Sequence, residues 1–137
     1  NPAEYGFIMN KNDHIEAEDF YDMGSQWLEE KEYLKAIEVF RRVISLNDRF
    51  MYAYIDLAYC YSKIGRNHEA VQILRKGSQK DPGFHLQYYL MAKYSFRDGD
   101  LSGALKSIDK ALEYSDDRLY QLVRNAILKR YKNSIIR

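Results

Sequence analysis

The fold is decided by a stretch of eight residues, YIDLAYCY at 54–61, that returns thirty-four residues later as YYLMAKYS at 88–95. In the first of these stretches the apolar residues fall at i, i+3, i+4 and i+7, the spacing of one face of an α-helix. Thirty-four residues before the first stretch, residues 20–27 read FYDMGSQW, with aromatic, apolar and small residues at the same places. Three copies in one register, without an insertion, predict a helical repeat protein.

Each repeat also contains a second amphipathic helix, which follows the first after a short turn. A small residue lies at the same place in all three second helices, as Ala36, Ala70 and Ala104, and lets the paired helices approach closely. Gly65 and Gly99 fall in the turns, where glycine readily adopts a positive φ. The repeat is therefore a pair of antiparallel helices.

The periodicity predicts helices with defined ends. Asp81-Pro82-Gly83 closes the second repeat, because proline disfavours helical backbone in the residue before it. The predicted helices cover residues 17–30, 33–46, 50–64, 67–80, 84–98, 101–114 and 117–133. The predicted domain covers 17–137, with repeats at 17–50, 51–84 and 85–118 and a capping helix at 119–133.

The repeats resemble the tetratricopeptide repeat, whose signature is an aromatic, a leucine-glycine pair, a tyrosine, an alanine, an aromatic, an alanine and a proline. The first repeat carries Phe20, Met23-Gly24, Trp27, Tyr33, Ala36 and Phe40, and departs at Val43 and Asp48. The second carries Tyr54, Leu57-Ala58, Tyr61, Gly65, Ala70 and Pro82, and departs at Leu74 and Gly77. The third carries Tyr88, Met91-Ala92, Gly99, Ala104 and Ala111, and departs at Ser95, Ile108 and Asp116. The resemblance implies an all-α fold, a right-handed α-solenoid of antiparallel helix pairs.

The resemblance also implies a binding surface. In that family the first helix of each pair lines a concave groove, in which an extended peptide or a partner helix lies. By register the groove residues are Tyr21, Leu28, Tyr52, Ile55, Tyr59, Lys63, Leu86, Tyr89, Lys93, Phe96, Arg97 and Tyr120. Tyrosine offers a rigid apolar ring and a hydroxyl, so this groove suits an apolar or amphipathic segment, and we expect binding to depend most on Tyr59 and Tyr89. Packing between adjacent helices is the alternative role for such tyrosines.

Some members of the family hold C-terminal carboxylates with lysine, asparagine and arginine. The corresponding positions in this chain are Tyr21, Ser25, Asp56, Leu86 and Leu90. None of these is basic and Asp56 would repel an anion, so we expect no carboxylate clamp. Lys63, Lys93 and Arg97 make the later part of the groove mildly basic and could orient an acidic flank of the ligand.

No motif for catalysis, a metal or a cofactor is present in the sequence. His14, His68 and His85 lack the spacing of metal ligands, and there is no glycine-rich phosphate loop. Cys60 is the single cysteine and lies between tyrosines on a first helix, where we expect a buried, inert thiol. Asp100 precedes a helix and is expected to cap it. We therefore expect no enzyme activity and no cofactor.

Charge is balanced over the chain but not along it. Residues 1–50 carry a net charge of −5, and residues 118–137 carry +6 without an acidic residue. The basic residues are interleaved with apolar ones, so we expect a solvated face attracted to the acidic end of another copy, and no nucleic-acid site. There is no apolar run long enough to insert in a membrane, and one unpaired cysteine fits a reducing compartment.

Residues 1–16 lie outside the repeats and are predicted to be a linker or flanking segment. The polar stretch 10–14 reads as linker, whereas the apolar patch Tyr5–Met9 has three open interpretations: a disordered end, packing on the first repeat, or occupation of the groove. The chain starts at Asn1 and ends abruptly, which suggests a piece of a longer or processed protein.

The expected function is protein binding without catalysis, as a scaffold, adaptor or co-chaperone. The size and apolar groove also resemble small bacterial secretion chaperones. Two alternatives remain open at this point: a self-assembling homo-oligomer, and a regulatory domain of a larger protein.

Overall fold

The structure is a computed structural model that describes the backbone of residues 11–136 and the burial of residues 15–135. The described chain forms seven α-helices and no strand, which confirms the all-α prediction. The helices are α1 (Lys11–Glu29), α2 (Tyr33–Leu46), α3 (Met51–Lys63), α4 (Asn67–Lys80), α5 (Leu86–Arg97), α6 (Leu101–Tyr114) and α7 (Arg118–Ile136). Each helix packs against its neighbours in the chain, and α3 also touches α5.

The five inner helices begin and end within two residues of the predicted bounds, but the outer two are longer. α1 begins at Lys11, six residues before the predicted start, so residues 11–16 of the flanking segment continue the first helix. Residues 1–10, which include the patch Tyr5–Met9, lie outside the described residues.

Small and large residues alternate at fixed repeat positions in the core. Ala36, Ala70 and Ala104 are completely buried, as are the residues four positions later, Phe40, Leu74 and Ile108. The close approach predicted from the alanines is therefore confirmed. Other signature positions of the first repeat are less buried, since Met23 is 46% exposed and Phe20, Trp27 and Tyr33 are partly buried.

The helix pairs are closed by one recurring turn. Lys31, Gly65 and Gly99 lie thirty-four residues apart and have φ values of 59°, 83° and 82°. In each turn the next amide donates a hydrogen bond to a carbonyl five residues back, as Arg66 does to Tyr61 at 2.8 Å. This is the helix-ending geometry that favours glycine. Only the first repeat places a side chain at this position.

A glycine at position 31 is therefore expected to stabilise the protein. Lys31→Gly removes the contact between Cβ and backbone that disfavours left-handed residues, and should raise the free energy of unfolding by about 1 kcal/mol. Urea unfolding followed by circular dichroism measures the change. The reverse substitution, Gly65→Lys, should lower stability by a similar amount. A lower urea midpoint for Lys31→Gly would contradict this reading of the turn.

Candidate functional site

The first helices of the repeats, α1, α3, α5 and α7, lie side by side and form one face of the protein, the groove. The hydroxyl of Tyr21 on α1 donates to Oδ2 of Asp56 on α3 at 2.5 Å. Arg97 on α5 donates from Nη1 to the hydroxyl of Ser62 on α3 at 3.1 Å. The groove is therefore held together by polar contacts between first helices as well as by the core beneath it.

The N-terminal half of the groove is filled by its own side chains. Besides bonding Asp56, Tyr21 stacks on the ring of Phe50 with centroids 4.8 Å apart. Burial raises the pKa of the Asp56 carboxyl, and the hydrogen bond from Tyr21 opposes that rise. Burial and the neighbouring carboxylate also raise the pKa of the Tyr21 hydroxyl. Tyr21 thus serves the packing between α1 and α3, which is the alternative role that the sequence left open.

The five positions that correspond to a carboxylate clamp hold no cation. Tyr21 and Asp56 are bonded to each other, and the Ser25 hydroxyl donates to the carbonyl of Tyr21 at 3.0 Å. Leu86 and Leu90 are partly buried. A carboxylate brought to this half of the groove would meet the carboxyl of Asp56.

The middle of the groove presents tyrosine rings to solvent. Tyr52 is 55% exposed and Tyr59 is 39% exposed. Tyr59 packs edge-on against Tyr33, with centroids 6.4 Å apart, and Nζ of Lys63 lies 5.7 Å from its ring centroid. Of the other groove residues, Leu28 and Ile55 are partly buried against the core. The accessible part of this region is therefore aromatic with a cation beside it.

The C-terminal half contains an apolar cavity of about 240 Å³ between α5 and α7. Its apolar lining residues are Tyr89, Ala92, Phe96, Val123, Ala126 and Ile127. Lys93 and Arg97 border it and are exposed, and the Arg130 guanidinium lies 5.8 Å from the ring centroid of Phe96. The spacing of Val123, Ile127 and Arg130 on one helix face is the signal that would have linked Arg130 to this cavity.

The position of Tyr120 does not match its predicted role as a groove residue. It was expected to face a partner, but it is only 4% exposed and lies between α5 and α7. Its ring stacks on Tyr89 with centroids 5.2 Å apart, and its hydroxyl hydrogen bonds Nδ1 of His85 at 2.8 Å. Burial raises the pKa of Tyr120. Tyr120 therefore supports Tyr89 from below and is not available to a ligand.

Side chains that suggested possible chemistry have structural roles. Cys60 is completely buried, and burial together with Asp56 raises its pKa to about 12, so its reactive thiolate is scarce. The Asp100 carboxylate accepts from the backbone amide of Gly103 at 2.9 Å, which confirms the predicted cap. Among the described residues no group of three or more His, Cys, Asp or Glu side chains could hold a metal ion. No described helix has the length and apolarity needed to cross a bilayer.

The Tyr21–Asp56 hydrogen bond is expected to matter for stability in a pH-dependent way. Tyr21→Phe leaves a half-buried carboxylate without its donor and should lower the free energy of unfolding by about 1–3 kcal/mol at pH 7.

Asp56→Asn keeps a hydrogen-bond acceptor for Tyr21 but removes the charge. Burial raises the pKa of Asp56 in the folded state. Above the ordinary carboxyl range, ionisation of Asp56 therefore lowers the free energy of unfolding as the pH rises. Asp56→Asn should therefore raise the melting temperature at pH 7 more than near pH 4.

The check is thermal unfolding of Tyr21→Phe, Asp56→Asn and the double variant at both pH values. In the Asp56→Asn background, Tyr21→Phe should cost less than it does alone, because no charge is left unpaired. Two results would contradict this account of the Tyr21–Asp56 hydrogen bond. One is that Tyr21→Phe lowers stability equally with and without Asp56→Asn. The other is that Asp56→Asn stabilises the protein more near pH 4 than at pH 7.

The fold and the groove define a class of protein, an all-α repeat protein with an open face on its first helices. Residues 28–94 match the tetratricopeptide repeat family, which is the family that the three repeats resemble. The chain is 27% identical over 101 residues to the small glutamine-rich tetratricopeptide repeat-containing protein 2 of Mycosarcoma maydis. It is 29% identical over 97 residues to the Hsp70-Hsp90 organizing protein 3 of Arabidopsis thaliana. These matches cover 74% and 71% of the chain but only 29% and 16% of the relatives.

Solved structures share the fold at lower identity. The TPR2B domain of yeast Sti1, in a complex with pHsp70, superposes with a TM-score of 0.78 at 19% identity, over 85% of this chain and 98% of that one. The Yersinia enterocolitica type III secretion chaperone SycD, in complex with a peptide of the translocator YopD, superposes with a TM-score of 0.76 at 17% identity, over 83% and 93%. At these identities the likeness establishes the fold.

Proposed function

We propose that the protein is a non-catalytic interaction module that binds an extended or helical segment of a partner protein in the groove. The observation that carries this proposal is the apolar cavity between α5 and α7, which opens beside exposed cations. The Sti1 domain and SycD, which share the fold, were solved as complexes with pHsp70 and with a YopD peptide, and this supports the same mode of binding here.

The size of the cavity favours a side chain as its occupant. Its volume of about 240 Å³ is below the ~300–1,000 Å³ of small-molecule and cofactor sites. Tyr89 and Phe96 give it aromatic walls, and an apolar side chain gains free energy by removing such walls from water. The cavity therefore takes an apolar anchor residue of a longer segment, which continues over Tyr59 and Tyr52.

The charges around the groove favour one placement of that segment. Lys93 and Arg97 border the cavity and Lys63 lies beside Tyr59, whereas Asp56 supplies a carboxyl at the opposite end. An acidic residue next to the anchor would be attracted at the C-terminal half and repelled at the N-terminal half. The partner segment we propose thus combines a bulky apolar residue with acidic neighbours, and electrostatics fixes its orientation.

Selection from a library of random linear peptides displayed on phage tests the proposal without a known partner. Wild-type protein should enrich peptides in which a bulky apolar residue has Asp or Glu nearby. Tyr59→Ala/Tyr89→Ala should weaken the binding of an enriched peptide by at least about tenfold, because both rings lie at the centre of the groove. Lys93→Glu should weaken it through charge alone.

The matched control is Leu34→Ala/Tyr114→Ala, which removes two exposed apolar side chains from the second helices α2 and α6. All variants should keep the helicity of the wild type, and the control should bind as the wild type does. If the enriched peptides bind the groove variants and the control equally well, or if no peptide is enriched, the groove is not the binding site.

A further inference from the structure

The first and last described helices, α1 and α7, are opposite in charge. α1 contains six carboxylates and one lysine, whereas α7 contains five cations and no carboxylate. The exposed residues of the acidic face on α1 are Ile15, Glu18, Asp19, Asp22 and Glu29. The exposed residues of the basic face on α7 are Arg118, Leu119, Leu122, Lys129 and Lys132. Within residues 15–135 none of these charged side chains forms an ion pair.

The basic face has the features of a surface that receives a helix. Leu122 and Ala126 occupy the repeat positions of Tyr88 and Ala92 on α5, which are 7% and 0% exposed. On α5 these positions are covered within a complete helix pair, but within the described residues no helix follows α7. Leu122 is consequently 54% exposed, and the adjacent Ala126 leaves room for a close helix.

The acidic face of a second copy fits this surface in charge and length. Both end helices have 19 residues and are about 28 Å long, so they can lie along one another. In an antiparallel arrangement, like that of the helix pairs within a repeat, Asp19 and Asp22 approach Lys129 and Lys132. In this register Glu29 lies opposite Leu122, about one helical turn from Arg118.

We propose that copies of this protein associate head to tail, with α1 of one copy docked antiparallel on the basic face of the next. Each copy uses a different surface at each end, so the contact is heterologous and produces open chains or rings. A single pair of helices is a small interface, which makes the association weak, reversible and sensitive to salt. The contact leaves Tyr59 and Tyr89 of the groove uncovered, and Ala126 borders both surfaces.

Sedimentation velocity over a concentration series, from about 5 to about 500 μM, tests the proposal. The average mass of the wild-type chain should rise with concentration beyond that of a dimer. Raising the salt from about 0.1 M to about 1 M shortens the Debye length from about 10 to 3 Å and should weaken association about tenfold. A wild-type chain that stays monomeric over the whole series overturns the proposal.

Charge-reversal variants test the polarity of the contact. Asp19→Lys/Asp22→Lys on α1 and Lys129→Glu/Lys132→Glu on α7 should each be monomeric alone. In their equimolar mixture the two wild-type faces are complementary and so are the two reversed faces, so association should return to the wild-type level. A symmetric dimer of either variant, or a mixture that stays monomeric while the wild type associates, would overturn the head-to-tail arrangement.

Two controls separate this contact from other surfaces. Lys76→Glu/Lys106→Glu makes the same change in charge on the exposed sides of α4 and α6 and should associate as the wild type does. Tyr59→Ala on α3, away from both α1 and α7 in ring contacts, should also associate normally, even though it weakens peptide binding. Loss of association in either control, or on deletion of residues 1–10, would assign the contact to another surface and overturn the proposal.

Discussion

The whole architecture depends on small residues at the positions where paired helices cross. Ala36, Ala70 and Ala104 are completely buried on the second helices, and Gly24 is buried opposite Phe40 on the first pair. A Cβ at Gly24 would lie 2.5 Å from the Phe40 ring, so there is no space for a larger residue unless that ring moves. Because each pair closes this tightly, the pairs stack in register and the first helices come side by side. The groove is a consequence of this stacking.

The high tyrosine content serves two different purposes along the groove. Tyr21 and Tyr120 point inward, where their hydroxyls are bound by Asp56 and His85 and their rings stack on neighbours. Tyr52 and Tyr59 remain accessible to a partner. Tyr89 belongs to both groups, since it stacks on Tyr120 and also lines the cavity. The groove thus combines rings that are held by stacking and hydrogen bonds with aromatic rings that are exposed to solvent.

The sequence predicted what repetition and periodicity determine, and it failed where tertiary contacts decide. The bounds of α2, α4 and α6 are as predicted, because apolar spacing and turn residues recur in each repeat. The positive φ of Lys31 was not predicted, since lysine gives no local signal for it. The early start of α1 was missed because the polar residues 10–14 have no apolar periodicity that would indicate a helix. The burial of Tyr120 was missed because it depends on how closely α7 covers α5. Repeat register identifies a face, but the depth of each side chain in that face depends on its neighbours.

The most direct test of the central claim is to locate a bound segment on the protein by methyl NMR, using a peptide enriched by the wild-type chain. If an apolar anchor enters the cavity between α5 and α7, the largest shifts should come from the methyl groups of Ala92, Val123 and Ile127. Those of Leu34 and Leu112 on the second helices should stay in place. Shifts concentrated on the second helices, or on Leu119 and Leu122 at the outer face of α7, would contradict the claim that the cavity is the binding site.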